Sequence, residues 1–175
     1  MRTKFLVATA LAAAAVLLAL TFGGRSGRVV SNLVTEFPSA LKRPGEDHFK
    51  VQVLTLKSRS ESSIVVRGST RLTYHVTVPT GGRFRVAVAL VDPEQGGPQK
   101  AGLVFSIGIS DGHAYRVRKT DVVNASGEWV DWVVNLTEFE SMTVDLILNT
   151  REGPESGVGA GTPAGAWGSP VIEAR

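Results

Sequence analysis

Apolar and polar residues alternate with a period of two through most of the chain from residue 49 onward. In the segment 71–78 the even-numbered residues are Leu, Tyr, Val and Val, whereas the odd-numbered ones are Arg, Thr, His and Thr. The segment 83–90 repeats the pattern, with Phe, Val, Val and Leu at its even positions. Successive side chains of a β-strand point to opposite faces, so this pattern predicts strands with one face buried.

Shorter alternating segments follow, and Gly- and Pro-rich stretches separate them, in a chain with 19 Gly and 8 Pro. They predict seven to nine antiparallel strands, with one helical turn at 137–141. The turn Pro79–Gly82 predicts that 71–78 and 83–90 form a hairpin, and Asp111-Gly112 predicts a second, two-residue hairpin turn. A change of phase between Val53 and Leu54 predicts a β-bulge.

An uncharged apolar stretch precedes this region, at residues 5–22. As a helix it would be about 27 Å long, close to the thickness of the hydrocarbon layer of a bilayer. We therefore interpret residues 1–24 as a single transmembrane anchor that is embedded in membrane lipid through residues 5–22. A cleaved signal peptide is the alternative, because the start carries Arg2 and Lys4, although no clean Ala-x-Ala follows. The large apolar residues of the anchor are Phe5, Leu6, Leu17, Leu18, Leu20 and Phe22.

The short charged start is expected to stay in the cytoplasm, which places the rest of the chain on the periplasmic or extracellular side. Residues 25–47 are interpreted as a tether, with a first strand of the domain as the alternative. The domain itself is predicted to span 48–175.

The charge of the chain argues against nucleic acid as a partner. The formal net charge is +3, but residues 1–47 carry six Lys or Arg and three acids, and 48–175 carry thirteen of each sign. The predicted domain is therefore neutral overall, and phosphate neutralisation is not expected of it.

No set of residues matches a catalytic or metal site. His48, His75 and His113 stand far apart, no Gly-x-Ser-x-Gly occurs, and Cys is absent. The acidic pairs Glu138/Glu140 and Asp92/Glu94 fall in predicted turns, where solvated charge is expected. We therefore predict a protein that is not an enzyme and has no cofactor or metal.

Four residues are candidates for contact with a ligand or partner. Trp129 lies on the face of its strand opposite Trp132, Val130 and Val134, so its ring is expected to be exposed, whereas Trp132 is expected in the core. Trp167 is expected to pack at the edge of the sandwich. Tyr115 and Arg116 follow the Asp-Gly turn and could contact a sugar or an anion.

Four stretches resemble jelly-roll β-sandwich domains grouped as galactose-binding-like or carbohydrate-binding-module-like. They are LTYHVTVPTGGRFRVAVAL (72–90), GLVFSIGISDG (102–112), WVDWVVNLTEFESMTVDLILNT (129–150) and GAWGSPVI (165–172). The resemblance covers about 48–175 and implies an antiparallel jelly-roll sandwich. It also implies sugar binding, protein binding or a spacer role. At 162–166, where several relatives have an acid and an aromatic residue, this chain has neither.

Two functional hypotheses follow. In the first, the chain is a non-catalytic accessory or structural subunit of a larger membrane complex, such as a respiratory, photosynthetic or transport complex, and it acts through protein contacts. A small-residue stretch, 8–15, would allow close helix packing there. In the second, it is a membrane-anchored module of the cell envelope that binds a glycan.

Overall fold

The computed structural model describes residues 27–91, 102–124, 127–153 and 162–175. These residues form eleven β-strands and three short 3-10 helices. The strands are β1 Arg28–Asn32, β2 Leu41–Arg43, β3 Phe49–Leu56, β4 Arg59–Arg67, β5 Thr70–Thr77, β6 Arg83–Val91, β7 Leu103–Ser110, β8 Tyr115–Val123, β9 Val130–Asn135, β10 Thr143–Glu152 and β11 Ala164–Ala174. The 3-10 helices are Phe37–Ser39, Glu46–His48 and Thr137–Phe139.

Two antiparallel sheets pack face to face. The six-stranded sheet has the order β3-β4-β11-β6-β9, and β1 pairs with the carboxyl-terminal part of β11. The five-stranded sheet has the order β2-β5-β10-β7-β8. The alternation in the sequence therefore corresponds to two sheets, each of which turns one face towards the other, as in a β-sandwich.

The core lies between the sheets, and three aromatic rings occupy its centre. Phe105 makes edge-to-face contacts with Trp132 and Trp167, at centroid distances of 6.4 and 4.9 Å. Gly165 makes room for this cluster, because a Cβ atom there would lie 2.6 Å from Phe105 Cζ. Edge-to-face aromatic pairs add to the free energy that burial alone provides.

The predicted hairpin of 71–78 and 83–90 is wrong, although the turn between them forms. Gly82 N donates to Pro79 O at 2.9 Å, but β5 pairs with β2 and β10, whereas β6 pairs with β11 and β9. The turn thus carries the chain from one sheet to the other. Alternation identifies the buried face of a strand, and this face is the same whether consecutive strands pair within a sheet or pack across the core.

Residues 28–32 and 41–43 belong to the sandwich, not to a tether. β1 pairs with β11 in the six-stranded sheet, and β2 pairs with β5 in the five-stranded sheet. Leu33, between them, is fully buried. The alternative interpretation, an early strand of the domain, therefore holds for these residues. The sequence does not predict β1 and β2, because they are short and their residues are mostly exposed. Such strands show little alternation of apolar and polar residues.

Two further local predictions differ in outcome. The bulge at Val53 and Leu54 is wrong, since β3 keeps an unbroken register with β4 from Phe49 to Leu56. β3 lies at an edge of the sheet, and Val53 is 70% exposed there. The helical turn predicted at 137–141 is confirmed as the 3-10 helix Thr137–Phe139.

The predicted anchor lies outside the described residues. Phe5, Leu6, Leu17, Leu18, Leu20 and Phe22 all precede Gly27, where the description begins. Among the described residues there is no helix with the length and hydropathy that a membrane span requires.

Candidate functional site

The outer face of the five-stranded sheet carries aligned polar residues. In one row, which crosses all five strands, each residue is in register with the next. That row consists of Arg43, Arg71, Asn149, Ser106 and Thr120. Since side chains of a sheet alternate between its faces, all five project away from the core.

A groove of about 760 Å³ follows this row. Residues of β2, β5, β10, β7 and β8 line it, among them Tyr115, Val117 and Arg151. A smaller groove of about 360 Å³ adjoins it and shares Arg43, Arg71 and Tyr115. The two together form one depression on the sheet, which we call the outer groove.

Tyr115 is the aromatic residue of the outer groove, and Gly108 determines its position. The ring belongs to β8 and lies across β7 at Gly108, where a Cβ atom would be 2.3 Å from Tyr115 Cε2 and 2.5 Å from Cζ. Any larger residue at 108 would displace the ring. The side chain remains 48% exposed, so the ring is both held on the sheet and accessible to a ligand.

A hydrogen-bonded chain joins Tyr115 to the polar row. Asn149 Nδ2 donates to Tyr115 Oη at 3.3 Å, and Arg71 Nε donates to Asn149 Oδ1 at 2.8 Å. Beside it, the hydroxyls of Ser106 and Thr120 lie 2.8 Å apart. The outer groove therefore presents an aromatic ring next to amide, hydroxyl and guanidinium groups.

The turn before β8 fixes the position of Tyr115, the first residue of that strand. Asp111 Oδ1 accepts hydrogen bonds from the backbone N–H groups of Ala114 (2.8 Å) and His113 (2.9 Å). These two hydrogen bonds, of which the one from Ala114 has the larger effect, hold the pKa of the Asp111 carboxyl below its ordinary value. The connection is four residues long, so the two-residue turn predicted at Asp111-Gly112 is too short.

Arg116 lies away from Tyr115, on the other face of β8. It is in register with Ile109, whose side chain is buried in the core, whereas Tyr115 is in register with Ser110. Arg116 Nη1 lies 3.2 Å from Glu138 Oε1, and Arg118 also contacts that carboxylate. The structure thus separates these two predicted contact residues.

Trp129 lies on the outer face of the six-stranded sheet and is only partly exposed. Its indole N–H donates to Arg59 O at 3.2 Å, and its ring covers Gly168, where a Cβ atom would lie 2.7 Å from Trp129 Cζ3. The strand face was assigned correctly, but the ring folds back onto the sheet. The predicted inward position of Val130 is wrong, since this first residue of β9 is 43% exposed.

Trp167 is fully buried, so its predicted place at the edge of the sandwich is wrong. β11 lies between β4 and β6, in the middle of its sheet, and this position puts the indole in the core against Phe105. A ligand on the surface has no access to it. Trp132, by contrast, is in the core as expected.

The described residues contain no group of three or more His, Asp or Glu that could hold a metal ion. Asp92 and Glu94 lie outside the described residues. His75, on the outward face of β5 as expected, lies 3.0 Å from Asp145 at one end of the outer groove.

The sequence does not predict a role in the site for several residues of the outer groove, chiefly Gly108, Asn149, Arg71 and Arg43. Arg71 was recognised only as the polar face of a strand, and Gly108 as one position in an apolar strand. Their importance depends on which strands are neighbours, and this information is absent from local alternation. The one available hint is a glycine inside a strand, which often marks close approach of another group.

The described residues form a jelly-roll β-sandwich, a fold that they share with solved structures of carbohydrate-binding modules. No family model matches the chain, and no curated protein matches it. Among solved structures, TmCBM61 in complex with β-1,4-galactotriose is similar to it with a TM-score of 0.58 and 13% identity, over 87% of this chain and 100% of that one.

Two further structures have the same fold. CBM51 from the GH95 protein of Clostridium perfringens, in complex with methyl-galactose, gives a TM-score of 0.51 at 15% identity, over 76% of this chain and 86% of that one. The tandem CBM22-1–CBM22-2 domain of Xyn10C from Paenibacillus barcinonensis gives 0.51 at 17% identity, over 87% of this chain and 46% of that one. At these identities the likeness concerns the fold.

Proposed function

We propose that this chain is a non-catalytic carbohydrate-binding domain and that its outer groove binds a glycan. The observation that carries the proposal is the ring of Tyr115, held on Gly108 beside the Arg71–Asn149 pair. An aromatic face carries negative partial charge, and the C–H groups of a sugar ring carry positive charge, so the two attract. The neighbouring amide and hydroxyl groups can hydrogen-bond to sugar hydroxyls.

The similar solved structures support this proposal at the level of class. Two of them are complexes, one with a galactotriose and one with methyl-galactose. The outer groove is concave and places polar groups beside the aromatic ring and a few apolar side chains, a combination that suits ligand binding. The missing acid and aromatic residue at 162–166 do not bear on this groove, because β11 belongs to the other sheet.

The first hypothesis from the sequence, a subunit of a membrane complex, stays a prediction. The same is true of the anchor at 5–22 and of a place on the periplasmic or extracellular side. If the anchor is present, it would hold the glycan-binding domain at a membrane surface. Fractionation of cells that express the full chain tests for the anchor. Recovery of the chain in the soluble fraction would count against it.

The proposed function is tested by measuring the binding of the full chain to a panel of polysaccharides. Affinity gel electrophoresis and calorimetry provide the affinities. We expect Tyr115→Ala to weaken binding about tenfold or more, which corresponds to about 1.4 kcal/mol. Trp129→Ala is the matched control, since that aromatic residue lies on the opposite sheet and should leave affinity unchanged. Absence of binding to every glycan, or equal binding by the Tyr115→Ala variant, would contradict the proposal.

A further inference from the structure

The outer groove is lined by three arginines. Arg43, Arg71 and Arg151 belong to β2, β5 and β10, and the described residues that line the larger part of the groove include no acid. None of the three forms a salt bridge with a described residue. The adjoining smaller part of the groove contains one carboxylate among its described residues, that of Asp145, which lies 3.0 Å from His75.

Several arginines elsewhere in the fold pair with acids. Arg59 makes a two-pronged pair with Asp131 at 2.8 and 2.7 Å. Arg83 and Arg85 share Glu173, and Arg116 pairs with Glu138. The three arginines of the outer groove differ from these paired arginines, because none of them forms a salt bridge with an acid among the described residues.

Two of these arginines directly oppose each other. Arg43 of β2 is in register with Arg71 of β5, on the same outward face. Like charges directly opposite on neighbouring strands destabilise a sheet. Arg71 gains one hydrogen bond from Asn149, but that amide is neutral and does not offset the repulsion. A bound anion would offset it.

Guanidinium groups suit carboxylates and sulfates in particular. Each presents a planar fork of N–H donors that matches two oxygens of such a group, and the resulting hydrogen bonds are stronger than those between neutral partners. Tyr115 lines the same groove as all three arginines, so a sugar ring on the tyrosine would place its substituents near them.

We infer that the outer groove selects an anionic glycan, one whose sugar rings carry carboxylate or sulfate groups. This inference rests on the proposed function. Tyr115 would contact the sugar ring, while Arg43, Arg71 and Arg151 would bind the acidic groups. A neutral polysaccharide would leave three guanidinium groups without an anionic partner and would bind more weakly.

The test compares ligands that differ only in charge. Binding of the full chain is measured to polygalacturonate and to its methyl ester, which has the same backbone without the negative charges. We expect about tenfold tighter binding of the acid form, with the preference shrinking as salt screens the charges. Arg43→Gln and Arg71→Gln should each reduce this preference. Arg67→Gln, which removes the same charge from the exposed surface of the other sheet, should leave it intact.

Two further probes complete the experiment. Dextran sulfate identifies the recognised group: tighter binding than polygalacturonate points to sulfate, weaker binding to carboxylate, and either result supports an anionic glycan. A single-stranded oligonucleotide that binds more tightly than both would overturn the inference in favour of nucleic acid.

The failures of the two proposals can be distinguished. Equal binding of polygalacturonate and its methyl ester would remove the charge selection while the proposed function stands. Absence of binding to all glycans would remove the proposed function itself. Thermal denaturation of each variant verifies that the substitutions at these exposed positions leave the fold unchanged.

Discussion

Tyr115 of β8 lies across Gly108 of β7, and its hydroxyl reaches Asn149 of β10 at 3.3 Å. A single aromatic side chain thereby bridges three neighbouring strands on the outer face of the sheet. The arrangement requires that position 108 have no side chain. This requirement is steric, since the φ angle of Gly108 does not fall in the left-handed region.

Gly108→Ala is therefore expected to displace the Tyr115 ring and to weaken glycan binding about as much as Tyr115→Ala does. The new methyl group would lie 2.3–2.5 Å from ring atoms unless the ring moves. Alanine can adopt the backbone geometry of a strand, so the free energy of unfolding should change by less than about 1 kcal/mol. Calorimetry with the same glycan measures the effect. Thr77→Ala, on the same outward face but outside the groove, is the control, and unchanged affinity of Gly108→Ala would contradict the ring placement.

The two tryptophans Trp167 and Trp129 are expected to differ in their contribution to stability. Trp167→Ala removes a fully buried ring and should cost about 3–5 kcal/mol in the free energy of unfolding. Trp129→Ala removes a partly exposed ring with one hydrogen bond and should cost about 1–2 kcal/mol. Denaturant titration of the full chain compares them. Similar costs for both would mean that Trp167 is not in the core, and the milder Trp167→Phe serves if the alanine variant fails to fold.

Two carboxylates, Glu173 and Glu138, each pair with two arginines but differ in burial. Glu173 is 3% exposed in its side chain and binds Arg83 at 2.7 Å and Arg85 at 3.0 Å. Its replacement by alanine should destabilise the chain by about 2–3 kcal/mol, because hydrogen bonds to a charged group are lost. Glu138 is 46% exposed, so Glu138→Ala should cost about 1 kcal/mol or less.

Chemical denaturation of the Glu173→Ala and Glu138→Ala variants at one pH measures both costs. An equal cost for the two substitutions would show that burial does not determine the contribution of these pairs.

Stability is expected to fall in acid partly through Asp131. The two-pronged hydrogen bond from Arg59 holds the pKa of its carboxyl below the ordinary value of 3.8. A carboxyl with a lowered pKa in the folded state contributes stability above pH 3.8, and that contribution is lost as the pH falls through the folded pKa. Asp131→Asn should therefore be less stable than the parent near neutral pH, and the difference should shrink below pH 3.8. Melting temperatures of the parent and the variant across this pH range test the prediction. A difference between the two that does not change with pH would contradict it.

The sequence predicted the all-β sandwich and most of its core, because alternation in β5, β6, β7 and β10 reports directly which face of a strand is buried. It also placed Trp132 correctly. It could not predict that the turn at Pro79–Gly82 joins the two sheets, since strand pairing depends on contacts between distant segments. β1 and β2 were missed because short, mostly exposed strands carry little alternation.

The candidate site was predicted only in part. Tyr115 was selected from the turn that precedes it, but its partners Gly108, Asn149 and Arg71 come from three other strands and are up to 78 residues apart in sequence. Trp129 and Trp167 were selected for their chemistry alone, and the sheet covers one and buries the other. Aromatic type identifies what a residue can bind, whereas position in the sheet decides whether a ligand reaches it.

The row that begins at Arg43 and ends at Thr120 runs perpendicular to the strands, across the whole width of the five-stranded sheet. Neighbouring strands lie about 4.8 Å apart, so four intervals give a track of about 19 Å. A ligand that uses the entire track must be an extended chain of several units, and a single sugar would touch only a fraction of it. Affinity should therefore grow with the length of the oligomer until the track is filled, and remain level beyond that point.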